Sequence, residues 1–241
     1  MEINDGVVEI RSAVLDPHLF NGSMMIIKTV ISIISTFLLL PAMVSAAELT
    51  PVEMAARLQA TYDKTTSFTA DFDQTTAMKL SRRTREGKGT MVIRKPGLMR
   101  WDYREPDHQV LICDGEQMLM YFAEAEQMIV MPAQEYLRSD VTYAFFSGKG
   151  NVLRDFDVKG PEQEYCCDPR PDLKLIPKKQ HAQVDHIYIW LDDNFMISKM
   201  SIKDHYGSVT DLSFTNIKLD QPVMEDRFKF TPPAGTEIVK Q

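Results

Sequence analysis

Alternation of apolar and polar residues, repeated in short segments, is the feature that most constrains the fold of this chain. Phe68, Ala70 and Phe72 alternate with polar neighbours, and the same pattern recurs through most of the sequence. Successive side chains of a β-strand point to opposite faces, so a period of two predicts strands. Short turn sequences such as Pro96-Gly97 and Asp114-Gly115 join the segments and predict hairpins, and therefore an antiparallel sheet.

About eleven strands are expected, and two helical pieces accompany them. The strands are expected near residues 68–72, 90–94, 99–103, 109–113, 117–122, 127–131, 152–158, 173–176, 184–191, 197–203 and 209–219. A capping box at Thr50 and Glu53 predicts a helix from Pro51 to about Lys64, and residues 132–147 predict one or two short helices. A twisted sheet of this size must curl or split. The chain is therefore mainly β (α+β), and its antiparallel strands form either one curved sheet or two packed sheets.

The segment from Met24 to about Ala46 has the sequence of a secretory signal peptide. Lys28 precedes an apolar core at 29–40, Pro41 ends it, and Val44-Ser45-Ala46 supplies small residues for the peptidase. An uncleaved membrane anchor is the alternative, but no Lys or Arg follows directly to stop transfer. We predict cleavage near Ala46, export beyond the inner membrane and one domain over 47–241. No Cys lies near the cleavage site, so no lipid anchor is expected.

Residues 1–23 do not fit a signal peptide, because they carry four acidic residues ahead of the apolar core. We expect this extension to be an artefact of the assigned start, with translation beginning at Met24 or Met25. A peptide from 1–23 found in cells by mass spectrometry would contradict this expectation.

The composition gives little support to an enzyme or to a nucleic-acid-binding protein. The net charge is −7, no basic run indicates nucleic acid, and the five His have no metal-ligand spacing. Gly148-Lys149-Gly150 lacks the remainder of a phosphate-binding loop, and no nucleophile signature is present. We therefore expect no catalysis, metal or cofactor. Cys113 either pairs with Cys166 or Cys167, or is a buried thiol beside two loop thiols.

Two predicted strands, 117–122 and 127–131, are apolar at both alternating positions. Both of their faces must then be covered, one of them by a helix or by a ligand. Met118, Met120, Met128 and Met131 contribute flexible side chains of the kind that adapt to varied apolar partners. The alternative is an ordinary Met-rich core beneath residues 132–147.

A series of short motifs follows a fixed order over nearly all of residues 47–241. They are 67–74 (SFTADFDQ), 87–89 (GKG), 94–103 (RKPGLMRWDY), Pro106, Asp114-Gly115, Tyr121, 145–150 (FFSGKG), 175–177 (LIP), Asp204, Gly207 and 228–235 (FKFTPPAG). Together they resemble the outer-membrane lipoprotein carrier protein (LolA) family of the periplasm. The resemblance implies an incomplete barrel of eleven antiparallel strands, closed by a helical lid over an apolar cavity.

The resemblance also implies a function and partners. A monomeric carrier would take the acyl chains of a lipoprotein released by an inner-membrane ABC transporter, and would pass the lipoprotein to an outer-membrane acceptor. Two alternatives on the same fold remain. One is a module that senses lipid or lipoprotein for a signalling partner, and the other is the outer-membrane acceptor, against which the missing acylation Cys counts.

Strand parity and the resemblance together select the candidate site. The expected acyl-chain cavity is lined by Phe68, Phe72, Met91, Ile93, Met99, Trp101, Met118 and Met120. The family has an Arg before the motif proline that is implicated in holding the lid shut. Here Lys95 stands at that position and Arg94 lies one place earlier, on the opposite strand face. Both are candidate latch residues, although Lys lacks the planar fork of Arg.

Overall fold

The computed structural model describes residues 48–139, 146, 150–162, 169–179 and 183–241. The part of the chain from Leu49 to Gln241 is one compact unit. The predicted signal segment and the boundary near Ala46 lie outside the described residues. None of the helices within the described ranges is long and apolar enough to cross a membrane.

Helix α1 spans Pro51–Lys64, as its capping box predicts. The backbone N–H of Glu53 donates to Oγ1 of Thr50 at 3.3 Å, and the backbone N–H of Thr50 donates to the Glu53 carboxylate at 2.8 Å. These two bonds satisfy amide groups that a helix start otherwise leaves unpaired. The buried face of α1 carries Ala55, Leu58 and Tyr62, so the helix packs against the sheet through a single apolar stripe.

Within the described ranges, twelve strands form one open, curved sheet. Their order across the sheet is β12-β6-β5-β4-β3-β2-β1-β11-β10-β9-β8-β7. The bounds are β1 Ser67–Met78, β2 Arg83–Arg94, β3 Leu98–Glu105, β4 Gln109–Asp114, β5 Gln117–Phe122, β6 Gln127–Pro132, β7 Phe156–Lys159, β8 Leu173–Pro177, β9 His186–Leu191, β10 Ile197–Lys203, β11 Val209–Leu219 and β12 Glu237–Lys240. The antiparallel meander predicted from the turns is confirmed for β1 to β6.

Two details differ from the sequence-based prediction. The twelfth strand, β12, was not expected, and it pairs in parallel with β6 at one edge of the sheet. The strand expected at 152–158 begins too early, because residues 152–155 form the one-turn helix α3, Val152–Asp155. The Asn151 side chain caps this turn by accepting from the backbone N–H of Arg154 at 2.8 Å, so the strand starts only at Phe156.

The helical piece expected at 132–147 is confirmed where it is described, as helix α2, Ala133–Ser139. Phe146 is helical as well, and the other residues from 140 to 149 lie outside the described ranges.

Both faces of β5 and β6 are covered, which confirms the interpretation of their doubly apolar sequences. We call the face that carries Phe68, Met91 and Met118 the inner face and the opposite one the outer face. The outer face holds a separate apolar cluster. Its buried members are Val92, Val110, Ile112, Tyr121, Met128 and Phe228.

The cover of the outer face is the segment 221–236, which we call the C-terminal cover. It contains a short 3₁₀ helix, Glu225–Phe228, and Phe228 is 2% exposed. The ring of Phe230 lies 5.1 Å from that of Tyr121. Arg100 ties the cover to the sheet, because its guanidinium binds Asp102 through two 2.7 Å bonds and also donates to the Arg227 carbonyl at 3.0 Å.

Candidate functional site

The inner face of the sheet carries a continuous apolar cluster, which we call the inner cluster. All eight residues predicted to line an acyl-chain cavity lie on this face. Seven of them are buried members of the cluster, namely Phe68, Phe72, Met91, Ile93, Met99, Trp101 and Met118. Met120 is partly buried and packs against the cluster. The structure thus brings together the side chains that strand parity selected, whereas their role in binding acyl chains stays a prediction.

Aromatic rings form the centre of the inner cluster. The Phe72 ring lies 4.7 Å from Trp101 and 4.8 Å from Tyr103, edge to face in both pairs. Phe214 of β11 extends the group, with its ring 6.3 Å from Trp101. Such tilted pairs are favourable beyond the burial of their area. The hydroxyl of Tyr103 donates to the side chain of Gln74 at 2.9 Å, so the polar end of this group is also satisfied.

Two glycines of β2 make room for these rings. Gly89 is paired with Phe72, and a Cβ at position 89 would lie 1.9 Å from the carbonyl oxygen of Asp102 and 2.9 Å from the Phe72 ring. A Cβ at Gly87 would lie 3.0 Å from the Tyr103 ring. The 87–89 motif is therefore explained by close approach of backbone and aromatic rings, for which only glycine leaves space.

Phe146 covers one end of the inner cluster. It is 1% exposed, and its ring stacks on Phe68 at 6.0 Å and lies 5.6 Å from Phe214. Tyr62 of α1 lies 5.9 Å from the same ring. Phe146 comes from the segment that follows α2, so a residue of the expected lid region is inserted among residues of the sheet and of α1.

A pocket opens where α1, β1 and β2 meet. It is lined by Tyr62, Thr65, Thr66, Ser67, Phe68, Ile93, Lys95 and Phe146, and its empty volume, including the part open to solvent, is about 220 Å³. Since that volume includes open solvent, the enclosed space is far smaller than the roughly 300–1,000 Å³ of ordinary small-molecule sites. The pocket in this state does not accommodate a long acyl chain.

Lys95 is the charged residue of this pocket. Its ammonium group donates a hydrogen bond to the backbone carbonyl of Tyr62, near the end of α1. Partial burial lowers the pKa of Lys95, and the carboxylates of Asp63 and Asp220 oppose that shift. A single Lys therefore joins the β2 end of the inner cluster to α1.

Arg94 lies on the outer face, away from the pocket. Its guanidinium donates to the Val223 carbonyl at 2.9 Å, lies 3.4 Å from the Glu225 carboxylate, and stands over the Phe228 ring. The two latch candidates therefore contact different parts of the molecule, since Lys95 contacts α1 and Arg94 contacts the C-terminal cover.

The described residues of the inner cluster include one cysteine. Cys113 is a free thiol and is buried within it, whereas Cys166 and Cys167 lie outside the described residues. Within the ranges that the structure describes, no three His, Cys, Asp or Glu side chains are grouped to hold a metal ion. The arrangement is suited to holding apolar groups.

Sequence reasoning missed four residues of this site, namely Tyr62, Gly89, Phe146 and Phe214. The sequence places Tyr62 on the apolar face of α1 and Gly89 in a motif, but neither pattern shows that these residues lie against Phe146 and Phe72. Phe214 alternates within β11 and could have been found by parity. Phe146 could not be placed, because periodicity does not tell where a short helix packs.

The chain is similar to proteins of known family. A sequence model of the family described as outer membrane lipoprotein carrier protein LolA matches residues 63–231. An outer-membrane lipoprotein carrier protein from Nitrosomonas europaea is 30% identical over 197 residues, which cover 79% of this chain and 91% of the relative. A protein of the same name from Hahella chejuensis is 27% identical over 176 residues, covering 73% and 82% of the two chains.

A solved structure shares the fold. The crystal structure of an uncharacterized conserved protein from Thermus thermophilus matches with a TM-score of 0.50 at 15% identity. The match covers 79% of this chain and 98% of that one. At this identity the likeness concerns the fold alone.

Proposed function

The chain belongs to the outer membrane lipoprotein carrier protein LolA family, and on that premise we propose that it shields the acyl chains of lipoproteins against its inner cluster and carries them to the outer membrane. The observation that supports the site is the inner cluster itself. It is a contiguous apolar face, lined with Met and aromatic side chains, at one end of which Phe146 is inserted.

Binding an acyl chain requires the inner cluster to open. The pocket beside Lys95 is too small for such a chain, so Phe146 and the residues around it must move aside. Met91, Met99 and Met118 are unbranched and flexible, and they can repack around a chain that replaces Phe146. The eight cavity residues predicted from parity are the ones that the chain would touch.

The energetics fit a carrier that must also release its cargo. Burying a methylene contributes about 0.8 kcal/mol, so one long acyl chain contributes on the order of 10 kcal/mol. Closure of the cluster around Phe146 competes with that gain, since Phe146 itself is buried in the closed state. The competition lowers the net affinity and makes release to a stronger acceptor possible.

The partners are those that the family resemblance implies, and the energy balance is compatible with them. Lipoproteins leave the inner membrane against the hydrophobic effect, and an ABC transporter supplies the energy for that step. Transfer to an outer-membrane acceptor then runs downhill. The carrier works as a monomer in the periplasm, after removal of the signal segment near Ala46.

The direct test uses washed inner-membrane vesicles that contain the transporter and a labelled lipoprotein. With ATP and the purified protein, we expect lipoprotein to appear in the soluble fraction bound to the protein. Without ATP, or with an unrelated periplasmic protein, it should stay in the vesicles. If ATP releases no lipoprotein to this protein, the proposed function is wrong. If the protein takes up lipoprotein but does not pass it on to an outer-membrane acceptor added afterwards, a sensor is favoured instead.

A further inference from the structure

The hairpin between β1 and β2 projects beyond its neighbour on one side. Strand β2 pairs with β1 from Arg83, but β3 joins β2 only from Lys88 onward. Residues 83–87 therefore have no partner on the β3 side, and residues 79–82 close the hairpin beyond them. We call residues 79–86 the hairpin tip. All eight of its residues are exposed.

The hairpin tip concentrates positive charge on an acidic protein. It contains Lys79, Arg82, Arg83 and Arg85 against the single acid Glu86, whereas the whole chain has a net charge of −7. None of the four basic side chains forms an ion pair with a carboxylate of the described residues. The four are spread over seven positions, so they do not form the uninterrupted basic run that stands out in a sequence.

Two exposed apolar side chains flank this charge. Leu80 is 79% exposed at the tip, and Tyr206 is 69% exposed in the neighbouring turn between β10 and β11. The two turns touch, because the backbone N–H of Lys79 donates to Oγ of Ser208 at 3.3 Å and the Lys79 side chain lies against Gly207. In the second turn, the Asp204 carboxylate accepts the backbone N–H groups of Tyr206 and Ser208 at 2.8 and 2.7 Å.

We propose that the hairpin tip, with Tyr206 beside it, docks on the surface of an anionic phospholipid membrane. Unpaired Lys and Arg attract acidic headgroups, and each contributes independently near a charged bilayer. Exposed Leu and Tyr side chains fit the interface between headgroups and acyl chains. An acidic protein surface would also match the charge, but Leu80 and Tyr206 are exposed on two adjacent turns, from which both can enter the interface of a bilayer, so we commit to the membrane. This docking does not depend on acyl-chain binding by the inner cluster.

Vesicle flotation with the protein purified from the periplasm, after removal of its signal segment, tests the proposal. The probe is a mixture of phosphatidylglycerol and phosphatidylethanolamine, compared with phosphatidylcholine alone. We expect binding to the anionic vesicles only, and much weaker binding at about 1 M salt than at about 0.1 M, since the screening length falls from ~10 Å to ~3 Å. Failure to bind anionic vesicles at the lower salt would overturn the proposal.

Paired substitutions test whether vesicles bind at the hairpin tip. Combined Arg82→Glu and Arg83→Glu should weaken binding roughly 20-fold or more, and combined Leu80→Ser and Tyr206→Ser roughly 10-fold. The matched control is Lys64→Glu with Lys240→Glu, two exposed cations elsewhere on the protein, which should leave binding within about twofold. Equal loss in the control would refute the assignment to the tip. Binding to a polyglutamate peptide without binding to vesicles would indicate an acidic protein partner and refute the membrane proposal.

The carrier function and the membrane docking can be contradicted independently of one another. Vesicle binding is measured without lipoprotein or transporter, so a protein that releases lipoprotein but ignores anionic vesicles would retain the proposed function and lose only the docking surface.

Discussion

Phe72 and Gly89 lie directly opposite one another on β1 and β2, and the Phe72 ring occupies space that a side chain at position 89 would need. The relationship joins a sequence motif to the centre of the inner cluster. It also explains how Phe72 reaches both Trp101 and Tyr103, because Gly89, which pairs with Phe72 on one side and with Tyr103 on the other, has no side chain to block the ring.

Replacing Gly89 with Ala should therefore destabilise the fold. A Cβ would stand 1.9 Å from the Asp102 carbonyl oxygen, so the backbone of β2 or β3 must shift. Overpacking of this kind costs about 3 kcal/mol, measurable by urea unfolding. Gly160→Ala is the matched control, because its Cβ would meet only Pro51, at 3.6 Å, and should change stability by less than about 0.5 kcal/mol. A loss below about 1 kcal/mol for Gly89→Ala would contradict the packing argument.

The two faces of the sheet offer a matched pair that separates stability from cargo binding. Met99→Ala on the inner face and Ile112→Ala on the outer face each remove a buried side chain and should each cost about 3 kcal/mol. Only Met99→Ala should change the yield of soluble lipoprotein in the vesicle release experiment. If both variants lowered the yield in proportion to their stability, the inner cluster would not be the binding site.

Loss of the Lys95 side chain should raise the affinity for apolar cargo. The hydrogen bond from Lys95 to the Tyr62 carbonyl stabilises the closed inner cluster, and closure competes with binding. Lys95→Met should increase the fraction of molecules in which the inner cluster is open. It should therefore tighten the binding of a fluorescent fatty acid several-fold and slow its release to an acceptor. Lys95→Arg keeps a donor and should bind like the natural protein. The control is Lys64→Met, at an exposed position of the same helix as Tyr62, which should leave binding unchanged. If Lys95→Met bound the fatty acid more weakly, closure of the inner cluster would not compete with binding.

Glu162 should make stability fall in acid. Hydrogen bonds from Lys174 first, and then from Tyr188, lower the pKa of Glu162 to about 2 from its ordinary 4.5. Both the folded and the unfolded state are ionised above pH 4.5, so the stabilisation is complete there and is lost as the pH falls from about 4.5 to about 2. Glu162 is exposed, so the contribution is at most about 1 kcal/mol.

The check is urea unfolding of Glu162→Gln at several pH values. The variant should be less stable than the natural protein near pH 7, and the difference should shrink as the pH approaches about 2. Glu124→Gln, in the exposed turn between β5 and β6, controls for the loss of one negative charge. A difference for Glu162→Gln that does not change with pH would show that the effect is not electrostatic.

Local sequence patterns predicted most of the helices and strands. The others depend on contacts between distant parts of the chain. The capping box fixed α1, and alternation located the strands with long apolar faces. Strand β12 was missed because its four residues, EIVK, are too short to alternate, and its partner β6 is about 110 positions earlier. Helix α3 was missed although Asn151 was available as a cap, because the following residues also read as a strand.

The sequence predicted which residues lie in the candidate site, but it did not predict which parts of the chain cover them. Parity placed Met91 and Met118 on one face, since a period of two assigns every residue to one side. Parity does not say what covers each side. That the C-terminal cover lies over Ile112, and that Phe146 enters the inner cluster, depends on packing between distant parts of the chain.

The C-terminal cover and β12 follow every other strand of the sheet along the chain, so a ribosome makes them after the rest of the sheet. Until they are made, Val110, Ile112 and Tyr121 are not covered by Phe228 and Phe230, and the outer edge of β6 has no strand beside it. Exposed sheet edges invite pairing with other chains. A nascent or truncated chain that lacks this segment therefore presents an apolar face and an unpaired sheet edge to other proteins, and synthesis of the segment covers both.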